Sequence, residues 1–325
     1  MTHILIVGIG GIGGFFGGKL SQAFKDDADI HIHFLARGST LDTIRQNGLE
    51  VKSDVEHFIT SPSTVTDSVD RLGKMDYIIL CTKSYDLEET MVSIASCVDH
   101  HTVIIPLLNG VDSRQRIKRI FPENLVTDGC ANIITRRTAP GYVEVFSDFK
   151  TLHFGVQGTE DERLHKLKRM FLAADIQATL TDDIWKAIWI KFIFISAAAT
   201  VTSYMDKSFG QIRDEPQFWR YYSLLLNEIC HLAKVKRIEL PDNVKDKAID
   251  MFHNAPYDAT TSMHTDFKNN NDKNELESLC GYVVKEATAH DIAVPIYKKM
   301  YRHLSSSQMS VLYEGTFGHD KKNNN

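Results

Sequence analysis

The first two dozen residues constrain this chain more than any other stretch. His3 to Val7 is a short apolar, β-rich run, and Gly8-Ile9-Gly10-Gly11-Ile12-Gly13 follows it directly. Phe15 to Phe24 then carries apolar residues at helical spacing. A bare GxGxxG is common, and a merely structural glycine turn is the alternative reading. Placed between a strand and a helix, the pattern marks a dinucleotide-binding turn. The first glycine permits the turn, the second lets backbone approach a pyrophosphate, and the third lets the helix pack on the strand. The N–H groups opening the helix, those of Gly11, Ile12 and Gly13, then face the anion.

The rest of the first half repeats this alternation. His31–Leu35, Tyr77–Cys81 and Val103–Leu107 read as strands, the last two as continuous apolar runs covered on both faces. Leu49–Ile59 and Gly141–Phe154 read as extra strands. Strands joined by crossover helices imply a doubly wound parallel sheet of the Rossmann type. From Leu164 the texture becomes helical, with Ile184 onward, Phe218–Ala233 and Leu276–Ala287 repeating apolar residues at three and four. The expected class is therefore α/β: a nucleotide-binding domain over 1–180, followed by a mostly α-helical domain over 181–325, which the residues taken up below make the candidate for substrate and catalysis.

Three positions at the ends of these strands are candidate ligands. No acid occurs between Ile30 and Leu41, where an NAD site usually offers one to the ribose hydroxyls. Arg37 stands there instead, and its multi-donor fork suits a 2′-phosphate; an exposed loop arginine is the alternative. Lys83, in Cys81-Thr82-Lys83-Ser84, and Asn109, in Leu108-Asn109-Gly110-Val111, follow two later strands, where ligands of open α/β sheets collect. Each could also be an ordinary surface lysine or turn asparagine.

Bulk composition excludes other classes. A net charge of −5 with scattered Lys and Arg gives no footprint for nucleic acid. The five cysteines form no CxxC pair, which points to reduced thiols in the cytoplasm rather than a disulfide framework. The N-terminal run is broken by Gly8, unlike a signal peptide, and the apolar stretch Ile188–Val201 is interrupted by Lys191 and short for a bilayer span, so no membrane segment is expected. The tail 321–325 reads as untethered.

In the second half, helical spacing puts Ile184, Ala187, Ile188, Lys191, Ile195 and Ala198 on one face, with Lys191 its ionisable member. An ammonium among apolar neighbours is a candidate general acid; a lysine snorkelling to the surface is the alternative. Lys186 lies elsewhere and reads as solvated. Ser262-Met263-His264-Thr265-Asp266 precedes a polar loop, and Glu275 to Gly281 opens a helix on which Glu275 and Glu277 cannot share a face. Fourteen histidines show no ligand spacing such as HExxH, so no metal is expected.

In this order and spacing, GIGGIGGFFG, FLARG, CTKS, LLNGV, the WIKF helix, SMHTD and ELESLCGYVVKEATAHDIAVP resemble the ketopantoate reductase (2-dehydropantoate 2-reductase) family over nearly the whole chain. The resemblance implies an NADPH-dependent oxidoreductase of pantothenate biosynthesis that reduces a 2-keto acid, 2-dehydropantoate, to pantoate. Gly8, Gly10 and Gly13 would form the cofactor loop and Arg37 the 2′-phosphate ligand. Lys83 and Asn109 would touch cofactor and substrate, Lys191 would be the catalytic lysine, and Ser262 and Glu275 the substrate-side serine and glutamate. The family's lysine helix carries asparagines four and eight residues after the lysine; here Ile195 and Ala199 stand there. Two readings therefore accompany the first: a reductase of a more apolar 2-keto acid, and a non-catalytic NADPH-binding regulatory protein. The expected ligand is a small molecule, with no nucleic acid and no membrane, and a homodimer is compatible.

Overall fold

A computed structural model describes residues 1–317, with side chains described through residue 306; the tail 321–325 lies outside the described residues. The chain divides into two compact units, Met1–Ile188 and a second from Trp189 onward.

In the first unit, β1 (Thr2–Val7) runs through the glycine turn into α1 (Gly11–Ala23), and β2 (Ile30–Leu35) leads to α2 (Gly38–Asn47). Next come β3 (Leu49–Lys52), β4 (His57–Thr60), β5 (Thr64–Thr66), β6 (Tyr77–Leu80), α3 (Leu87–Ser93) and β7 (Val103–Pro106). After α4 (Ser113–Ile120) follow β8 (Leu125–Val126), β9 (Asp128–Asn132), β10 (Thr135–Ala139), β11 (Tyr142–Val145) and β12 (Thr151–Gly155). α5 (Glu162–Ala173) and β13 (Gln177–Leu180) close the series.

Six of these strands form an all-parallel sheet in the order β5-β2-β1-β6-β7-β8. The chain winds outward in opposite directions from β1 and β6, so the order reverses between them. Ligands of open α/β sheets bind beyond the carboxyl ends of the strands at such a reversal. The apolar runs are continuous because both faces are covered. Ile4, Ile6, Phe34, Ile79 and Ile105 enter one core, while Leu5, Val7, Leu35, Ile78, Leu80 and Ile104 enter the other.

The extra strands expected at Leu49–Ile59 and Gly141–Phe154 are each two strands broken by a serine turn. The Ser53 hydroxyl accepts from Val55 and Glu56 N–H, and the Ser147 hydroxyl donates to the Phe149 carbonyl. Two distant segments then share one sheet, β10-β11-β3-β4, through parallel pairing of β11 with β3.

At the amino end of the main sheet, His3 Nδ1 lies 3.0 Å from His33 Nε2, and the His3 ring stacks on both His31 and His33. Burial, reinforced by His3 and His31, lowers the buried His33 to about 4. Its stabilising contribution is thus complete above about pH 6.5 and is lost as pH falls through 4, a difference of about 3 kcal/mol. Asp128 has the opposite sign: desolvation raises it to about 6, against Arg114 and Trp185, so acid relieves it. The observable is therefore a difference between proteins. Between pH 7 and 4.5, urea midpoints should show wild type losing more stability than His33→Gln; parallel pH profiles would refute the assignment.

The second unit is mostly helical. α6 (Ile184–Met205) straddles the division between units, and α7 (Phe209–Asp214), α8 (Pro216–Val235), α9 (Val244–Asn254) and α10 (Ser262–Lys268) follow. A π-helical turn over Glu277–Gly281 leads into α11 (Tyr282–Ala289), and α12 (Pro295–Phe317) is last. α6 is long and apolar enough by length and composition to cross a bilayer, but 61% of its most apolar window is buried within the protein, as in a core helix. Trp189, Phe192, Ile193 and Ser196 form its buried side, and the Ser196 hydroxyl reaches the Leu279 carbonyl and the Tyr297 hydroxyl. α8 buries Tyr222, Leu225, Leu226, Ile229 and Leu232 at helical spacing, and its Glu228 accepts from Ile296 and Tyr297 N–H to cap α12.

Candidate active site

The glycine turn lies at the reversal of the sheet. Gly8 has φ +90°, and a Cβ there would come within 3.0 Å of the Cys81 backbone at the end of β6. A Cβ at Gly13 would stand 2.1 Å from the Gly8 carbonyl oxygen and 2.9 Å from the Cys81 Cβ, so glycine is what lets α1 close against both strands. Above Gly10 the situation is reversed: a Cβ would meet nothing within 4 Å. Gly10 is also the N-cap of α1 and supplies no side-chain cap, and the first helical hydrogen bond runs from Gly14 N–H to the Gly10 carbonyl. The N–H groups of Gly11, Ile12 and Gly13 therefore precede the helix's own acceptors.

One neighbour was not marked out by sequence. The Thr82 hydroxyl, next to the Gly8–Cys81 contact, is buried without a hydrogen-bond partner among the described residues. A buried orphan hydroxyl, an uncapped helix start and open space over Gly10 together fit a phosphate-bearing nucleotide. Cys81 itself is inert: burial pushes its thiol far above the ordinary value, leaving it an uncharged packing group at neutral pH.

The other candidates of the first unit stand on the same edge of the sheet. Arg37 is exposed at the N-cap of α2, whose first turn contains no acid. Lys83 is half-buried and opens a short 3-10 turn after β6, where its carbonyl accepts from Asp86 N–H. Asn109 is half-buried past the end of β7, beside Gly110 at φ +100°. Parallel topology thus gathers residues that are up to a hundred positions apart.

In the second unit, Lys191 is half-buried on the less covered side of α6, with Ala187 and Ile195 one turn to either side. Ala199, by contrast, is fully buried, so of the two positions that replace asparagines only Ile195 shares this accessible face. Lys186 lies elsewhere, also half-buried, with its amine 3.7 Å from Asp183.

Ser262 and Glu275 meet: the serine hydroxyl donates to Glu275 Oε2 at 3.5 Å, and Glu275 is buried. Glu277 instead points outward and accepts from the Tyr301 hydroxyl at 2.7 Å, which separates the roles of the two acids. Ser262 is held through the cap of its helix. Thr261 caps α10 and bonds Thr202 of α6 at 3.0 Å, while His264 reaches Asp206 at 2.8 Å and holds that carboxyl below its usual range. Asn274, buried beside Glu275, accepts from Leu276 N–H, but its amide nitrogen has no partner among the described residues. Neither His264 nor Asn274 carries a spacing signal in the sequence. Among the described residues, no group of three His, Cys, Asp or Glu side chains could hold a metal ion.

Comparisons with known proteins extend this picture over the chain. The family described as Ketopantoate reductase PanE/ApbA matches residues 4–157, and its C-terminal part matches residues 183–308. The chain is similar to the uncharacterized oxidoreductase YkpB of Bacillus subtilis, 25% identical over 92% of this chain and 97% of that protein. It is similar to the crystal structure of 2-dehydropantoate 2-reductase from Porphyromonas gingivalis, with TM-score 0.81 and 33% identity over 94% of this chain and 99% of that one. D-mandelate dehydrogenase, solved with NADH and anilino(oxo)acetate, shares the fold at TM-score 0.84 and 19% identity, covering 96% of this chain and all of that one. Since the match runs through both units, the chain belongs to the ketopantoate reductase family of oxidoreductases.

Proposed function

We propose that the protein reduces a 2-keto acid to the 2-hydroxy acid with NADPH, and that 2-dehydropantoate is the first substrate to try. The observation that carries this reading is Lys191, an amine held half-buried on an otherwise apolar face of α6. The reduced nicotinamide supplies a hydride to the ketone carbon. As that carbon gains a C–H bond, the carbonyl oxygen becomes an alkoxide, and Lys191 gives it a proton. Asn109 orients the reacting groups, and Glu275 with Ser262 holds the substrate's polar end or the lysine. The first turn of α1 and Lys83 would hold the cofactor's phosphates.

Cofactor choice rests on this chain's own residues, because a structural relative holds NADH. Arg37 at the α2 N-cap and the absence of an acid there favour the 2′-phosphate of NADPH. A second substrate class, 2-keto acids with a larger apolar tail, is favoured by Ile195 one turn from Lys191. Five free thiols suit a reducing, cytoplasmic setting.

Steady-state NADPH and NADH oxidation over a panel of 2-keto acids tests the proposal. Turnover with NADPH is expected, and Arg37→Ala should raise the KM for NADPH about tenfold or more while leaving that for NADH unchanged. Equal use of both cofactors would remove the NADPH assignment. Tight NADPH binding without turnover of any acid would replace the enzyme by a regulatory NADPH-binding protein.

A further inference from the structure

Strand β10 passes the first turn of α1, and the turn that follows it packs against the middle of α2, the two helices that open onto the proposed nucleotide site. At one end, a Cβ on Gly11 of α1 would stand 2.8 Å from the Thr135 carbonyl oxygen. At the other, a Cβ on Gly141, in the turn to β11, would stand 2.7 Å from Thr43 of α2. Between these anchors lie Arg136 and Arg137, and antiparallel register separates them. Arg137 pairs with Val143, whose side chain packs against Gly14 of α1, whereas Arg136 pairs with Glu144. Directly opposed residues share a face, so Arg137 is turned toward the helices and Arg136 away from them.

The contacts agree. Arg137 Nη1 donates to the Thr40 hydroxyl at 2.6 Å, and Thr40 is 3% exposed. Thr40 lies one turn into α2 from Arg37, the residue at its N-cap. Arg137 is itself exposed, and neither arginine meets a carboxylate among the described residues. Two arginines, one at the N-cap and one bonded to the first turn, thus belong to a helix start that contains no acid. A dianionic group accepted by both would gain charge-assisted, fork-shaped contacts from two segments of the chain.

We propose that Arg137 is a second ligand of the 2′-phosphate, reaching it from β10 while Arg37 reaches it from α2. Thr40 is the positioning residue: its buried oxygen fixes one nitrogen of the Arg137 fork and leaves the remaining donors for the anion. This rests on the NADPH reading above and adds the residue that would set its strength. Preference for the phosphorylated cofactor then resides on two segments a hundred residues apart.

The test is titration calorimetry on the full chain with adenosine 2′,5′-bisphosphate and with 5′-AMP. Arg137→Ala should weaken the bisphosphate about tenfold to fiftyfold and leave 5′-AMP within about twofold. Arg137→Lys, which keeps charge but not the fork, should fall between, and Thr40→Val should show a smaller loss with the same selectivity. If Arg37→Ala weakens the bisphosphate while Arg137→Ala does not, the phosphate is read by Arg37 alone and the inference is wrong. Equal weakening of both probes by Arg137→Ala would make the residue merely structural and would also overturn it. A wild-type protein that binds the two probes alike would instead remove the NADPH reading on which the inference depends.

Discussion

Lys191→Ala is expected to lower kcat by about 10²–10⁴, the usual range for loss of a general acid, with the same factor in kcat/KM. Equal losses are expected because the proton moves only as the alkoxide forms, so the interaction belongs to the transition state rather than to the bound substrate. Alanine is a strong helix former, and the position is only half-buried, so α6 should remain intact. NADPH affinity should also hold, since its proposed ligands Gly8 to Gly13, Arg37, Lys83, Arg137 and Asn109 all belong to the first unit. Lys191→Arg should fail to restore turnover: guanidinium keeps the charge but does not release its proton near neutrality. A Lys191→Ala enzyme within about fivefold of wild type would end the proposed mechanism.

Gly13→Ala is expected to cost both stability and nucleotide binding, and Gly10→Ala only binding. The new methyl at residue 13 would stand 2.1 Å from the Gly8 carbonyl oxygen, a backbone atom that no rotamer change can move away. Relief requires α1 to slide or the turn at Gly8 to open, and such overpacking typically costs about 1–3 kcal/mol, occasionally more. For a unit of this size that is a fall of about 2–12 °C in melting temperature. The same movement misaligns the N–H groups of the first turn, so NADPH affinity should drop at least about tenfold. Gly10→Ala places its methyl in open space, so thermal stability should hold while the methyl intrudes on the pyrophosphate. Differential scanning fluorimetry with and without NADPH separates the cases. A Gly10→Ala protein that binds NADPH as wild type does would show that the cradle lies elsewhere.

Legibility in the sequence followed the range of each physical signal. The parallel sheet was readable because two-sided burial writes continuous apolar runs, and the glycine turn because its close contact with Cys81 tolerates no Cβ. Both are local demands on residue type. The π-helical turn at Glu277–Gly281 has the sequence pattern of regular helix, since one extra residue in a turn barely disturbs apolar spacing. Helical spacing puts Lys191 on an apolar stripe of which Ile184, Ile188 and Ala198 are buried, while Ala187 and Ile195 beside it are not, and Trp189, Phe192 and Ile193 are buried on another side. A helix apolar all round does not announce which face is covered. Thr82, His264 and Arg137 carry no spacing signal of their own, because each draws its meaning from what folding brings beside it: the Gly8 turn, Asp206 and Thr40 respectively.

The pairing of β11 with β3 has a consequence for biosynthesis. Val143 sits beside Val51, roughly ninety residues earlier in the chain. The layer that buttresses α1 therefore cannot assemble as its first strands leave the ribosome; it waits until the last has been translated. Until then the amino-terminal helix lacks the wall against which Gly14 packs Val143. A nascent chain stalled before residue 142 would accordingly present an incomplete candidate nucleotide site to the cell, with exposed apolar surface of the sort chaperones retain.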